Sequence, residues 1–249
     1  MTESAPARVF ADRAEACRTL AAEVAELVRS INAAGRPAVL GLATGRTPLP
    51  FYAELIRLHR AGELSFANVV TFNLDEYLGL PAGHPESYRA FMQRELFGHV
   101  DIPAENVHIP DGSPADIAAH CAAYEKAIRE SGGIDFQLLG IGRTGHIGFN
   151  EPGSPRDSRT RQVELDPITR EDAAPAFGGL DHVPTHAISM GCGTILDARK
   201  IALLAWGSGK AEIVNEALTG PVTDQVSASF LQDHPDATFY LDAEAGAGL

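Results

Sequence analysis

The stretch from residue 135 to residue 153, DFQLLGIGRTGHIGFNEPG, constrains the fold more than any other part of the chain. An apolar run over residues 136–141 breaks into a glycine-rich turn, and His146 and Glu151 follow it. A short apolar run bounded by glycines indicates a buried strand of a parallel sheet. Ligands of open parallel sheets bind beyond the carboxyl ends of the strands. We therefore expect His146 and Glu151 to lie at a functional site. A structural histidine satisfied by a carboxylate is the alternative interpretation of this pair alone.

Other apolar runs alternate with amphipathic segments along the chain. Strands are predicted at residues 37–43, 68–73, 106–109, 185–190, 200–206 and 237–241, and helices at residues 10–35, 48–59, 87–97, 114–130, 194–198, 210–218 and 227–232. Alternation of this kind is typical of an α/β fold with right-handed crossovers. We expect one domain over residues 1–249, built on a single doubly wound, mostly parallel sheet.

Charge and cysteine content exclude some classes of protein. The formal net charge is −13 and no run of Lys or Arg occurs, which argues against a nucleic acid partner. Three scattered cysteines form no CxxC pair and indicate reduced thiols. No signal peptide is recognisable, and no apolar run approaches the roughly 20 residues that span a bilayer. We expect a cytoplasmic protein without a membrane partner.

Two strand–turn–helix junctions are candidates for binding an anion. In the first, Thr44, Gly45, Arg46 and Thr47 follow a predicted strand, and Thr47 is placed to cap a helix whose first residue is Pro48. A glycine turn before a helix presents backbone N–H groups to a phosphate, although the Gly-Lys-Ser/Thr ending of a Walker A loop is missing.

The second junction, Gly207-Ser208-Gly209, is followed by Lys210. A lysine in the first turn of a helix opposes the helix dipole. It is therefore better explained by an anionic ligand, with a solvated surface charge as the alternative.

Asp75 and Glu76 are adjacent carboxylates at the end of a predicted strand. Neighbours on a strand point to opposite faces. We expect one of them to face the cleft and the other to face solvent or cap a helix. A capping role for Asp75 is the alternative.

The residues at strand ends combine a phosphate cradle, a carboxylate base, a His–carboxylate pair and a cation. This set suits proton transfer on a small phosphorylated metabolite. A metal site is poorly supported, because the close pair His182 and His186 lacks carboxylates at ligand spacing. Nucleophilic catalysis is also poorly supported, since neither a GxSxG motif nor a Cys beside a His occurs.

Periodicity fades over residues 154–184. A loop of this length in a compact domain is usually functional or mobile. We predict an active-site lid, with a solvated surface excursion as the alternative.

Several strings resemble the glucosamine-6-phosphate deaminase (isomerase) family. They are GLATGRTPL (41–49), FNLDEYLGL (72–80), HPESY (84–88), LGIGRTGHIGFNEPGS (139–154), SRTR (158–161) and WGSGKA (206–211). The resemblance runs in order over residues 37–241, and LDEY and GHIGFNEP are specific to this family. The related 6-phosphogluconolactonases share the fold and the Gly-His turn, but not the FNEP that follows.

The resemblance implies a Rossmann-like fold and a reaction without metal or organic cofactor. Glucosamine 6-phosphate and water become fructose 6-phosphate and ammonia. By position in the motifs, Asp75 matches the base that moves a proton between C2 and C1. His146 matches the residue that opens the pyranose ring, and Glu151 its carboxylate partner. Thr44, Gly45, Arg46, Thr47 and Lys210 match the phosphate site.

Three departures from the family pattern carry expectations. Thr144 stands where many members have an aspartate that steers the histidine, so His146 should be held less strongly as imidazolium and Glu151 should do most of that task. A lid arginine before a Phe pair is replaced by residues 174–177, APAF, so the clamp for the phosphate is either missing or supplied by Arg170. Pro155 and Val163 replace a serine and a lysine of allosterically regulated members, which predicts no activation by N-acetylglucosamine 6-phosphate.

The sequence leaves other functions open. They are a galactosamine 6-phosphate deaminase, a 6-phosphogluconolactonase and a non-catalytic sugar-phosphate sensor. Sensors of this fold usually carry a DNA-binding helix-turn-helix, for which the residues before the first predicted strand leave no room. The expected partner is a small sugar phosphate. The sequence leaves the oligomeric state open, and a homo-oligomer is one possibility.

Overall fold

The computed structural model describes residues 6–81 and 83–249. Its strands are β1 (Ala7–Phe10), β2 (Ala38–Leu42), β3 (Val69–Asn73), β4 (Asp75–Tyr77), β5 (Val107–His108), β6 (Phe136–Gly140), β7 (Arg161–Glu164), β8 (His186–Ser189), β9 (Lys200–Ala205) and β10 (Ala237–Asp242). Its α-helices are α1 (Arg13–Ala33), α2 (Leu49–Arg60), α3 (Tyr88–Glu95), α4 (Ile117–Glu130), α5 (Pro167–Phe177), α6 (Cys192–Leu196) and α7 (Ala211–Thr219).

Seven of these strands form a parallel sheet in the order β1-β10-β9-β6-β2-β3-β5. Adjacent residues of its central strands point to opposite faces, so each strand supplies two apolar clusters. In β6, Leu138 packs into the cluster that includes buried residues of α1 and α2, whereas Leu139 packs into the one beneath α4 and α7. Burial on both faces explains the near-continuous apolar runs of the sequence. The prediction of an α/β fold with a mostly parallel sheet is confirmed.

A second, three-stranded antiparallel sheet has the order β4-β8-β7. Asp75 begins β4 and pairs with Ser189. The prediction of a single sheet is wrong in this respect, because only Leu74 separates β3 from β4 and no turn residue in the sequence marks the change of sheet.

The segment predicted as a loop at residues 154–184 is largely ordered. It contributes β7 to the second sheet, then α5, then a 3₁₀ turn over Leu180–His182. α5 has Pro175 inside it and no buried residue. Helical periodicity is therefore absent from this part of the sequence, and the prediction of an irregular loop is wrong.

Two helix starts also differ from the prediction. Phe10, expected in the first helix, ends β1, and Asp12 caps α1 by accepting a hydrogen bond from the N–H of Glu15 at 2.8 Å. Thr47 does not cap α2, because the helix begins at Leu49 after Pro48 and its N-terminus has no side-chain cap. Within the described residues, no helix is both long and apolar enough to cross a membrane.

Candidate active site

A cavity of about 180 Å³ opens at the carboxyl ends of β2, β3 and β6. The residues after β2 contribute Thr44 and Thr47, those after β3 contribute Leu74 and Asp75, and the turn after β6 contributes His146. Parallel strands bring these ends to one edge of the sheet, as expected for a ligand site in this class of fold. The structure thus brings together four residues that the sequence predicted for the site.

The turn that carries His146 is closed by a hydrogen bond of 2.9 Å from the N–H of Gly142 to the carbonyl of His146. A β-carbon at Gly142 would lie 2.1 Å from His146 Nε2, so the imidazole occupies the space that a side chain would fill. Glycine at position 142 therefore sets the position of the ring, and both Gly142 and His146 line the cavity.

The two ring nitrogens of His146 have different surroundings. Nδ1 lies 2.9 Å from Thr144 Oγ1 in hydrogen-bonding geometry. Glu151 Oε2 is also 2.9 Å from Nδ1, but its direction does not suit a hydrogen bond, and no other described group donates to this oxygen. Thr144 therefore supplies the hydrogen bond, while Glu151 forms an ion pair whenever the imidazole is protonated. Nε2 makes no hydrogen bond to the described residues and remains the nitrogen free to act on a ligand.

Glu151 is itself held by the segment that contains α5. Its Oε1 accepts hydrogen bonds from the Thr169 hydroxyl at 2.6 Å and from the Asp166 N–H at 3.4 Å. Burial raises the pKa of Glu151, but His146, Thr169 and the Asp166 N–H more than offset this, so the pKa lies below its usual range. Glu151 is therefore an ionised partner for the imidazole.

Asp75 is buried, with 5% of its surface exposed, and within the described residues no cation pairs with it. Burial, together with the negative charge of Glu76, raises its pKa to about 8. A carboxylate with so high a pKa is a much stronger base than an exposed aspartate, which suits proton abstraction near neutral pH.

Glu76 points away from Asp75 and caps α3. Its Oε1 accepts from the Tyr88 N–H and its Oε2 from the Arg89 N–H, both at 2.9 Å. Burial raises the pKa of Glu76 above its usual value, although these bonds oppose the shift. The expectation that one carboxylate faces the cleft and the other caps a helix agrees with this arrangement.

The turn at residues 44–47 is fastened at both ends. The Tyr52 hydroxyl donates to the carbonyl of Ala43 at 2.5 Å, and Trp206 Nε1 donates to the carbonyl of Thr47 at 2.9 Å. Gly45 has a φ of +94°, a conformation that favours glycine. Thr44 and Thr47 line the cavity, whereas Gly45 and Arg46 are not among its lining residues.

Lys210 and Arg170 also lie outside the lining. Lys210 Nζ donates at 2.8 Å to the carbonyl of Ile141, a lining residue, so its ammonium group is attached to the turn after β6. Arg170 Nη2 instead donates to the carbonyls of Leu180 and Val183, each at 3.1 Å. In this structure Arg170 stabilises its own segment, and a role in binding phosphate stays a prediction without support from its contacts.

Sequence reasoning did not assign Tyr88 and Phe149 to the site. Both line the cavity, and their rings stack with centroids 6.0 Å apart. The Tyr88 hydroxyl lies 3.3 Å from that of Tyr77. Tyr88 is the last residue of the HPESY string and follows the N-cap Ser87. That string was the signal available in the sequence, but an aromatic residue at the start of a helix has no chemistry that would single it out.

The described residues do not form a metal centre. No group of three or more His, Cys, Asp or Glu side chains among them could hold a metal ion. The expectation that the reaction needs neither metal nor organic cofactor rests on the sequence resemblance and stays a prediction.

Comparison with known proteins places this geometry in a family. Residues 11–240 match the family described as glucosamine-6-phosphate isomerases/6-phosphogluconolactonase. The chain is 49% identical over 232 residues to a glucosamine-6-phosphate deaminase of Arthrobacter sp. (strain FB24), covering 93% of this chain and 89% of that protein.

Solved structures agree with this match. The structure of a monomeric glucosamine-6-phosphate deaminase is 42% identical and superposes with a TM-score of 0.93, covering 97% of this chain and 99% of the other. A 6-phosphogluconolactonase of Trypanosoma cruzi has a TM-score of 0.78 at 23% identity, covering 100% of this chain and 98% of the other, and shares the fold. The chain therefore belongs to the glucosamine-6-phosphate isomerase/6-phosphogluconolactonase family.

Proposed function

We propose that this chain is a glucosamine-6-phosphate deaminase, which converts glucosamine 6-phosphate and water into fructose 6-phosphate and ammonia. The observation that carries the proposal is the shared cavity of Asp75 and His146 beside the turn at residues 44–47. It combines a base, a ring-opening group and an anion site, and the two relatives described above at more than 40% identity are glucosamine-6-phosphate deaminases.

His146 opens the sugar ring in this scheme. Its free Nε2 removes the proton of the hydroxyl on C1 and delivers a proton to the ring oxygen as the bond between C1 and that oxygen breaks. The product is the open-chain aldehyde. Glu151, held ionised by Thr169, stabilises the imidazolium that forms between the two transfers.

Asp75 carries out the isomerisation. It removes the proton from C2 of the aldehyde and returns it to C1, while the amino group gives up a proton and the oxygen on C1 takes one up. This leaves a hydroxymethyl group at C1 and an imine at C2. Water adds to this carbon and ammonia departs, giving the ketose phosphate. The positive charge of the substrate's amino group favours the ionised form of the buried Asp75 carboxylate.

The phosphate is bound by the turn at residues 44–47 and by Lys210. The backbone N–H groups of Gly45, Arg46 and Thr47 donate to no described group, so they are available to an anion. The start of α2 itself adds little, because prolines at positions 48 and 50 have no N–H and the N–H of Leu49 donates to the carbonyl of Arg46 at 3.4 Å.

Burial lowers the pKa of Lys210. The charge of Asp172 opposes this shift, whereas the charge of Arg143 adds to it. A phosphate next to the ammonium group would raise this pKa again.

Residues 154–184 serve as the lid in this proposal, because α5 contacts the catalytic Glu151 through Thr169. We also propose a cytoplasmic location, which the three free, buried cysteines support. The oligomeric state stays open, and light scattering of the purified protein would test whether the chain forms a homo-oligomer.

The first test is incubation of the purified protein with glucosamine 6-phosphate, measuring ammonia and fructose 6-phosphate, with Asp75→Asn as the matched inactive variant. We expect both products from the wild type in equal amounts and none from the variant. Galactosamine 6-phosphate, run in parallel, tests the C4 preference. Failure to release ammonia from either sugar, with a rise in melting temperature on adding them, would replace this proposal by the sensor alternative.

A further inference from the structure

An ion pair links α5 directly to the turn after β6, residues 141–146, which we call the catalytic turn. Arg143 lies between Gly142, which lines the cavity, and Thr144, which contacts His146. Its Nη1 donates to Asp172 Oδ1 at 2.9 Å. This is the only hydrogen bond that the Asp172 carboxylate receives within the described residues. The guanidinium group therefore sits at the edge of the site and is held there by a carboxylate of the lid segment.

A second cation is attached to the same turn. Lys210 Nζ is bonded to the carbonyl of Ile141, two residues before Arg143. The charge of Asp172 raises the pKa of this ammonium group and the charge of Arg143 lowers it, so both groups lie near enough to Lys210 to act on it. Two cationic side chains are therefore attached to the turn after β6, and one of them, Arg143, is paired with a carboxylate.

The face of α5 that turns toward the catalytic turn carries Thr169 and Asp172. These residues are three apart and therefore neighbours on one side of the helix. Thr169 donates to Glu151, and Asp172 accepts from Arg143. α5 can therefore stay in place through Thr169 when the contact between Asp172 and Arg143 opens.

We propose that Arg143 binds and positions the phosphate group of the substrate. Asp172 pairs with the guanidinium group of Arg143 until the phosphate takes the place of Asp172. This inference rests on the proposed function for the identity of the substrate. It adds Arg143 to the phosphate site formed by the turn at residues 44–47 and Lys210. Arg143 takes the contact expected of a lid arginine, because α5 has no arginine near its C-terminal end and Arg170 is bonded to the lid's own backbone.

The exchange is physically favourable. The side chains of Arg143 and Asp172 are 59% and 50% exposed, and an ion pair so open to water contributes little to stability. A phosphate dianion offers more negative charge and binds a planar guanidinium group through two parallel hydrogen bonds. It would bridge Arg143 and Lys210, which a single carboxylate on α5 does not do.

The test measures binding of inorganic phosphate by calorimetry at constant ionic strength, and kcat and KM for glucosamine 6-phosphate. The proteins are wild type, Arg143→Gln, Asp172→Asn and Arg129→Gln. Arg129 is an exposed arginine near the end of α4, so its variant removes the same charge elsewhere. We expect Arg143→Gln to weaken phosphate binding and raise KM about tenfold or more, with a much smaller change in kcat. Asp172→Asn should tighten phosphate binding several-fold.

Two results would overturn the inference. If Arg143→Gln binds phosphate as Arg129→Gln does, Arg143 does not contact the phosphate. If Asp172→Asn weakens binding as much as Arg143→Gln, the ion pair only fastens the lid. Phosphate binding requires no turnover. A wild type that binds phosphate with the expected variant pattern but releases no ammonia would therefore contradict the proposed function and leave this inference standing.

Discussion

At the scale of single residues, the proposed chemistry depends on a carboxylate that the fold makes basic. Asp75 is buried beside Glu76 without a cation among the described residues, and its pKa is raised to about 8. The free enzyme therefore holds most of Asp75 protonated at pH 7, whereas the proposed base must be ionised. We expect kcat/KM for glucosamine 6-phosphate to rise with pH through a midpoint near 8. A profile already flat from pH 5 upward would contradict this assignment.

The same burial predicts a stability effect with a definite sign. Between the ordinary pKa of 3.8 and the folded value of about 8, the folded state binds a proton that the unfolded chain has released. The free energy of unfolding therefore falls as pH rises through this range. Asp75→Asn removes the ionisable group, so its melting temperature should exceed that of the wild type by a margin that grows from pH 5 to pH 8. Asp236→Asn, at an exposed position, should show no such trend.

His146 has two partners at Nδ1, and their roles can be separated by substitution. Glu151→Gln keeps an oxygen for Thr169 but removes the charge that faces the imidazole, so we expect kcat to fall by about tenfold or more. Thr144→Val keeps the shape and removes only a neutral hydroxyl, so its loss should be smaller. Undiminished activity of Glu151→Gln in the ammonia assay would show that the carboxylate does not support the histidine.

The sequence predicted the charged members of this site better than its shape. Asp75, His146 and Glu151 could be identified because a fold seldom places carboxylates and a histidine at strand ends for packing alone. The hydrogen bond between Thr144 and His146 depends on the path of the turn around Gly142, and the cavity position of Tyr88 depends on how α3 is docked. Neither is encoded in residue type or spacing.

At the scale of elements, the N-terminus of α3 is fixed by a carboxylate from another strand. Glu76→Gln replaces one accepting oxygen with an amide that faces a backbone N–H, so we expect the melting temperature to fall by roughly 2–10 °C. Loss of the negative charge next to Asp75 should also lower the pKa of Asp75 and move the rise of kcat/KM to lower pH.

A matched substitution separates these effects from a general loss of charge. Glu105 is exposed and makes no hydrogen bond through its side chain within the described residues, so Glu105→Gln should change neither the melting temperature nor the pH profile. If Glu76→Gln leaves the midpoint of the profile unchanged, the charge of Glu76 does not act on Asp75.

Elements that are long and periodic were predictable, and those defined by tertiary contacts were not. α1 and the strands at the centre of the parallel sheet carry strong apolar patterns, and they match the prediction. β4 has three residues and β7 alternates partly buried with exposed positions. β4 and β7 contribute only Tyr77 and Val163 to the small apolar cluster on this sheet, which is too few residues to form a periodic pattern in the sequence.

At the scale of the whole molecule, the site lies where the two sheets meet. The parallel sheet supplies the turns with Thr44 and His146, and the small sheet supplies Asp75 through β4. The small sheet also contains β7, which leads into α5. The segment that contacts Glu151 is therefore connected through β8 to the strand that carries Asp75, the proposed base. We expect a displacement of α5 to reach both Glu151 and Asp75.

This connection is a route by which an effector could act, and the departures from the family pattern predict that this chain does not use it. Arg161, at the start of β7, donates to Asn150 Oδ1 at 2.9 Å and to Ser154 Oγ at 3.1 Å, while Pro155 and Val163 supply neither a hydroxyl nor a cation. We therefore expect N-acetylglucosamine 6-phosphate to leave the rate unchanged at subsaturating substrate, and the saturation curve to be hyperbolic. Assays with and without the compound check this. A rise in rate at low substrate, abolished by Arg161→Gln but kept in Arg129→Gln, would show instead that Arg161 forms an effector site without the missing serine and lysine.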